Sequence, residues 1–139
     1  MRILFACLFF LFAAPAWAAP VVLVYGDSLS AAYGLPRDSG WVALLEQRLA
    51  RHQPAWQVVN ASVSGETTAG GRARLPAVLD RHRPAIVILE LGANDGLRGL
   101  PLKPAAANLA AMAALAKRRG VRVVLVGMQL PPNYGSSYT

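Results

Sequence analysis

Apolar and polar positions come in blocks along this chain, and the blocks change period. Residues 21–25 are a continuous apolar run, the pattern of a strand covered on both faces. Residues 39–51 read as a helix, with Ser39 as its cap and Trp41, Leu44, Leu45 and Leu49 on one face. A short strand is expected over 56–59. Residues 66–81 are helical in pattern but carry Gly70, Gly71 and Pro76, which predicts two short helices there. Residues 85–91 form a second strongly apolar strand. Residues 104–119 are an Ala-rich helix with Pro104 at its start and Gly120 just past its end. Residues 121–128 are a further buried strand. The order β-α-β-α-β-α-β predicts an α/β fold, a parallel sheet with helices on both faces and right-handed crossovers.

The N-terminus stands apart from this pattern. Arg2 precedes an almost unbroken apolar stretch over 3–14, and Ala16-Trp17-Ala18 fits a small-x-small cleavage site before Ala19. Residues 1–18 are therefore read as a signal peptide, which implies a periplasmic or secreted protein without stable membrane insertion after cleavage. The alternative is an uncleaved anchor, but the apolar run is short for a span, which takes about 20 residues. Cys7, the one cysteine, lies in that leader, so residues 19–139 form no disulfide and rely on a core of their own. Their length is that of one domain.

The formal charge of +7 raises nucleic acid as a partner. The basic residues are scattered in sequence, however, apart from Lys117-Arg118-Arg119 at a helix end, where cations complement the helix dipole. No basic stretch is interleaved with aromatic residues, so nucleic acid is not expected.

In a parallel sheet of this kind the ligand sits outside the carboxyl ends of the strands. Polar residues that immediately follow each strand are the candidates. These are Gly26-Asp27-Ser28, then Asn60, Ser62 and Ser64-Gly65-Glu66, then Gly92-Ala93-Asn94-Asp95, then Gln129 and Pro131-Pro132-Asn133-Tyr134. His52 and His82 precede strands and are placed at the opposite edge, on the order of 15–20 Å away at strand rise. Glu66 and Asp95 alone could suggest acid/base work or a metal, but no ligand-spaced His or Cys accompanies them, so no metal and no cofactor are expected. Neither G-x-S-x-G nor G-x-G-x-x-G occurs.

Three of these strand-end groups together resemble the GDSL, or SGNH, hydrolases. Gly26-Asp27-Ser28-Leu29-Ser30 is similar to the first signature block, Gly65 within Asn60–Thr67 to the second, and Gly92-Ala93-Asn94-Asp95 to the third. The resemblance is nearest to the exported bacterial thioesterase, lysophospholipase and arylesterase branch, down to Leu-Gly-Ala-Asn-Asp-Gly-Leu-Arg-Gly and Leu-Pro-Pro-Asn-Tyr-Gly. It implies a flavodoxin-like three-layer α/β/α fold with strand order 2-1-3-4 and a fifth strand missing from this chain. It also implies roles. Ser28 is the nucleophile, and the oxyanion hole is formed by the N–H of Ser28, the N–H of Gly65 and the side-chain amide of Asn94. Fixed donors of this kind stabilise the negative charge that acyl transfer develops on oxygen. Ser28 at a helix start would also feel the positive end of its dipole. Asp27 supports the loop by hydrogen bonding. The implied partner is a small-molecule acyl ester or thioester, and the full-length protein is expected to be a monomer.

The resemblance has a gap. A serine hydrolase needs a base, normally a His oriented by a carboxylate, and the family takes both from an Asp-x-x-His near the C-terminus. No such motif occurs in these residues. The sequence is therefore read as the domain without its C-terminal part, inactive alone and with an apolar edge at its last strand. A carbohydrate deacetylase on the same framework, or a non-catalytic protein that binds an acyl or carboxylate group, are the alternatives.

Overall fold

A computed structural model of the chain describes residues 19–52 and 55–129. Residues 1–18 with Cys7, read above as a signal peptide, and the Pro131, Pro132, Asn133 and Tyr134 group, lie outside the described residues. Four strands form one sheet: β1 Val21–Gly26, β2 Gln57–Asn60, β3 Ile86–Glu90 and β4 Arg122–Leu125. All pairs are parallel and the order is β2-β1-β3-β4, as expected from the alternating pattern and the family resemblance. The register sets Val24 beside Asn60 and Ile88, and Gly26 beside Glu90. The carboxyl ends of β1, β2 and β3 thus meet at one edge.

Strand alternation sends side chains to two separate cores. Leu23, Tyr25, Val87 and Leu89 face one side, where they pack with Leu75 and Leu79 of α2 (Thr68–His82) and Met112 and Ala116 of α4 (Leu102–Arg118). Val22, Val24 and Val58 face the other side, against Val42 of α1 (Trp41–Leu49). The result is a three-layer α/β/α arrangement, with a short α3 (Ala93–Leu97) between β3 and α4. Among the described residues no helix is long and apolar enough to cross a membrane.

The helices depart from the sequence expectation in three ways. First, α2 is one helix, although Gly70, Gly71 and Pro76 lie within it. Pro76 removes only its own hydrogen bond, to the carbonyl of Arg72, an exposed residue. Gly71 serves contact: a Cβ there would stand 2.5 Å from Leu91 Cδ1. The Tyr25 hydroxyl donates to the Gly71 carbonyl at 2.8 Å, tying helix to sheet. Second, α1 buries Val42 and packs Leu45 and Leu49, whereas Trp41 and Leu44 are 38% and 56% exposed. Its N-cap is Gly40, without a side-chain bond, and the Ser39 hydroxyl turns instead to Asp38. Third, Pro104 sits inside the first turn of α4, whose N-cap is Pro101.

β4 is shorter and less covered than a buried strand. Val124 and Leu125 are 48% and 57% exposed, because β4 has a neighbour on one side only among the described residues. The cations also prove less scattered in space than in sequence. Arg48 ends α1, Arg81 and His82 end α2, and Lys117 and Arg118 end α4, all at the edge where the strands begin. Each complements a helix C-terminus.

Candidate functional site

The site is built from three loops at the carboxyl edge of the sheet. The first is the turn that follows β1. Ala31 N–H bonds the Asp27 carbonyl at 2.9 Å and Tyr33 N–H bonds the Ser28 carbonyl at 3.1 Å. These are turns and not the start of an α-helix, so the expected macrodipole at Ser28 does not arise. Ala32 completes the turn with φ 55°, the left-handed region that an L side chain adopts at a cost of about 1–2 kcal/mol.

The second loop runs alongside β1 beyond the end of β2. Ala61 N–H bonds the Val24 carbonyl at 2.9 Å, and Val63 N–H bonds the Gly26 carbonyl at 3.0 Å. The Ser62 hydroxyl accepts the Gly26 N–H at 3.0 Å. The loop then reverses over 63–66, with Glu66 N–H on the Val63 carbonyl at 3.1 Å. Gly65 takes φ 78° at the third position, which a type II turn reserves for glycine. A turn of this form bonds its last N–H and leaves those of its two central residues, Ser64 and Gly65, outside the bond.

The third loop follows β3. Gly92 has φ 124° and caps α3, so that Asn94 sits in the first turn of that helix. Asn94 joins the three loops. Its Nδ2 donates to Asp27 Oδ2 at 3.0 Å and to the Glu66 carbonyl at 3.1 Å. Residues on either side of the two backbone candidates are thereby held by one amide.

Asp27 is 0% exposed. Its other oxygen accepts the Leu29 N–H at 3.1 Å, closing the turn around Ser28. Ser28, Gly65 and Asn94 are half-buried. Among the described residues the Ser28 N–H, the Ser28 hydroxyl and the Gly65 N–H have no hydrogen-bond partner, whereas both amide hydrogens of Asn94 are engaged.

The two other carboxylates considered from sequence face different partners. Glu66 pairs with Arg74 at 2.9 Å. Asp95 is buried and accepts the Thr68 N–H at 2.8 Å and the Thr68 hydroxyl at 2.6 Å, fastening α3 to the start of α2. Arg74 also lies 4.4 Å from the centre of the Tyr25 ring. Burial pushes the Tyr25 hydroxyl up to about 12, with Arg74 pulling it down and Glu66 pushing it up. His52, in the turn after α1, and His82, at the end of α2, lie on the side of the sheet where β2 and β3 begin, away from Ser28.

One residue at the site was not singled out from sequence. Glu90, the last residue of β3, is 4% exposed. Its Oε2 accepts the Ser30 hydroxyl at 2.5 Å. Its Oε1 is buried with no partner among the described residues. Burial raises its pKa; the bond from Ser30 opposes this, the charge of Asp27 adds to it, and the backbone N–H groups of Asp27 and Ser30 oppose it. The signal in the sequence was a Glu inside an otherwise apolar run, A-I-V-I-L-E-L.

Two apolar cavities flank the turn that carries Ser28. One, of about 180 Å³, is lined by Ser28, Leu29, Ala32, Tyr33 and Leu35. The other, of about 360 Å³, is lined by Leu29, Trp41, Glu90, Val126 and Met128.

The chain is similar to several known proteins. A family model described as GDSL-like lipase/acylhydrolase matches residues 24–139. Esterase TesA of Pseudomonas aeruginosa is 56% identical over 121 residues, which are 87% of this chain and 60% of TesA. An arylesterase of Vibrio mimicus is 47% identical over 139 residues, all of this chain and 70% of the relative. The crystal structure of the psychrotrophic esterase EstA from Pseudoalteromonas sp., inhibited by monoethylphosphonate, superimposes with a TM-score of 0.79 at 44% identity, covering 85% of this chain and 64% of that one. The chain thus spans about three fifths of the length of TesA. With a family match over most of its length and relatives well above 30% identity, it belongs to the GDSL-like lipase/acylhydrolase family.

Proposed function

We propose that this chain carries the nucleophile and oxyanion side of an exported serine hydrolase acting on small acyl esters or thioesters. One observation carries the reading. At the carboxyl edge of the sheet the N–H groups of Leu29 and Glu66 are taken up within their own turns, while those of Ser28 and Gly65 are left without a partner among the described residues. Two fixed donors beside an unpartnered hydroxyl are what a tetrahedral oxyanion needs.

The Ser28 oxygen attacks the acyl carbon, its proton passes to a base, and the carbonyl oxygen becomes an oxyanion on Ser28 N–H and Gly65 N–H. Asn94 joins them by turning one amide hydrogen from Asp27 or Glu66 toward the oxyanion. Collapse expels the alcohol or thiol with that proton. Water then attacks the acyl-enzyme and releases the acid. Leu29, Tyr33 and Leu35, all exposed and apolar, line the cavity against Ser28 and suit an acyl chain. Residues 19–129 offer no histidine at this edge, and the family's Asp-x-x-His is the group that would supply the base. The names of the relatives, esterase and arylesterase, support the same substrate class. The leader over 1–18 supports export.

The test is hydrolysis of a p-nitrophenyl acyl ester and of an acyl-CoA by the full-length product of the gene, read beyond codon 139. Turnover should vanish with Ser28→Ala. Turnover that survives this change overturns the reading.

A further inference from the structure

We propose that Glu90 is a positioning residue for the Ser28 nucleophile: its buried carboxyl holds Ser30 and so fixes the turn that presents Ser28. The inference rests on the function proposed above and adds a residue that the signature blocks do not contain.

Four observations converge on it. The Ser30 hydroxyl donates to Glu90 Oε2 at 2.5 Å across 60 residues of sequence, with both side chains buried. The carbonyl of the same Ser30 accepts from Asn60 Nδ2 at 2.7 Å, so the residue is pinned from two strands. On the other side of Ser28, Asp27 is pinned by Leu29 N–H and Asn94. Ser28 is therefore the one half-exposed hydroxyl between two anchored neighbours. Last, Gly26 lies directly against the pair: a Cβ there would stand 2.5 Å from Glu90 Oε2, 2.7 Å from Ser30 Oγ and 2.9 Å from the Glu90 carbonyl oxygen. The glycine of the Gly-Asp-Ser block thus makes room for this carboxyl.

A carboxyl buried without a full set of partners is costly, and a purely structural site would be served by an apolar residue. Glu90 pays that cost where its bond restricts the nucleophile turn. Burial raises its pKa, which favours the neutral form relative to a free glutamate, and in that form one oxygen still accepts from Ser30. Misplacing a reacting group by about 1 Å can cost about 10²-fold in rate, so loosening this turn should act on kcat.

The experiment uses the full chain, with Glu90→Ala, Glu90→Gln, Ser30→Ala and the double variant Glu90→Ala/Ser30→Ala. Glu90→Ala and Ser30→Ala should each lower kcat by about 10–10²-fold with little change in KM. Their effects should be non-additive, as for two residues acting through one bond. Glu90→Gln keeps an acceptor for Ser30 and should stand well above Glu90→Ala. Amide hydrogen exchange over residues 26–33 should speed up in the Ala variants and not in Glu90→Gln. Strict additivity, unchanged exchange, or a Gln variant as impaired as Ala in both readouts overturns the proposal. If Glu90→Ala fails to fold, Ser30→Ala and Glu90→Gln carry the same comparison. Loss of the parent reading shows separately, as turnover that survives Ser28→Ala, and the exchange measurement then still decides whether Glu90 holds the turn.

Discussion

The amide of Asn94 reaches Asp27 at 3.0 Å, so a side chain at the end of β3 fastens the residue that precedes Ser28 at the end of β1. The same amide reaches the Glu66 carbonyl at 3.1 Å, beside Gly65. One side chain therefore sets the relative position of both backbone N–H candidates. Asn94→Ala is expected to lower kcat about 10²–10³-fold, the loss usual for one oxyanion donor. Binding of an acyl product should change much less. Near-normal kcat in this variant would remove Asn94 from the site.

Gly26 has no room for a side chain. Its Cβ would meet the Glu90 carbonyl oxygen at 2.9 Å, and backbone does not yield as a side-chain tip does. Gly26→Ala should destabilise the fold by about 1–3 kcal/mol, the range of overpacked core sites. Urea unfolding measures this, and a midpoint equal to that of the wild type would show that the neighbours relax freely.

The raised pKa of Glu90 fixes the sign of a pH effect. The folded state holds the proton more tightly than the unfolded state does. Its contribution to stability is complete below the ordinary glutamate range and is lost as pH rises through the folded-state value. Glu90→Gln cannot titrate. Thermal unfolding of both proteins from about pH 4 to about pH 8 should therefore show the Gln variant gaining on the wild type as pH rises. A difference that stays constant, or moves the other way, contradicts the assignment.

Among the described residues β4 is an edge strand, and it exposes Val124 and Leu125. Exposed apolar edges template association, and lysine at an edge suppresses it. Residues 19–139 expressed alone should aggregate, and Val124→Lys with Leu125→Lys should lower light scattering at equal concentration. Equal scattering would show that association uses another surface.

What the sequence made legible follows from which forces act locally. Strands β1 and β3 are covered on both faces, and continuous apolar runs declare them. The strand-end rule then located Ser28, Gly65 and Asn94 at one edge, which is where the parallel register brings their loops. The helices were read less well, because their limits depend on packing. Nothing in the local sequence says that Gly71 fits against Leu91, or that a helix packed through Leu75 and Leu79 carries Pro76. In α1 the apolar pattern admits two faces one residue apart, and only the sheet decides for Val42 over Leu44. Glu90 was hidden for a related reason: its partner Ser30 is 60 residues away, and the β1–β3 register alone brings them together.

Covalent labelling tests the proposed role of Ser28 as the nucleophile most directly. Other hydroxyls lie near. Ser30 is buried on Glu90 and Ser62 accepts the Gly26 N–H, while the Ser28 hydroxyl has no partner among the described residues. The full-length protein that contains this segment should be treated with an organophosphonate, digested and mapped by mass spectrometry. A single adduct on Ser28, absent in Ser28→Ala, is the expected result. An adduct on Ser30, Ser62 or Ser64 with Ser28 unmodified would contradict it.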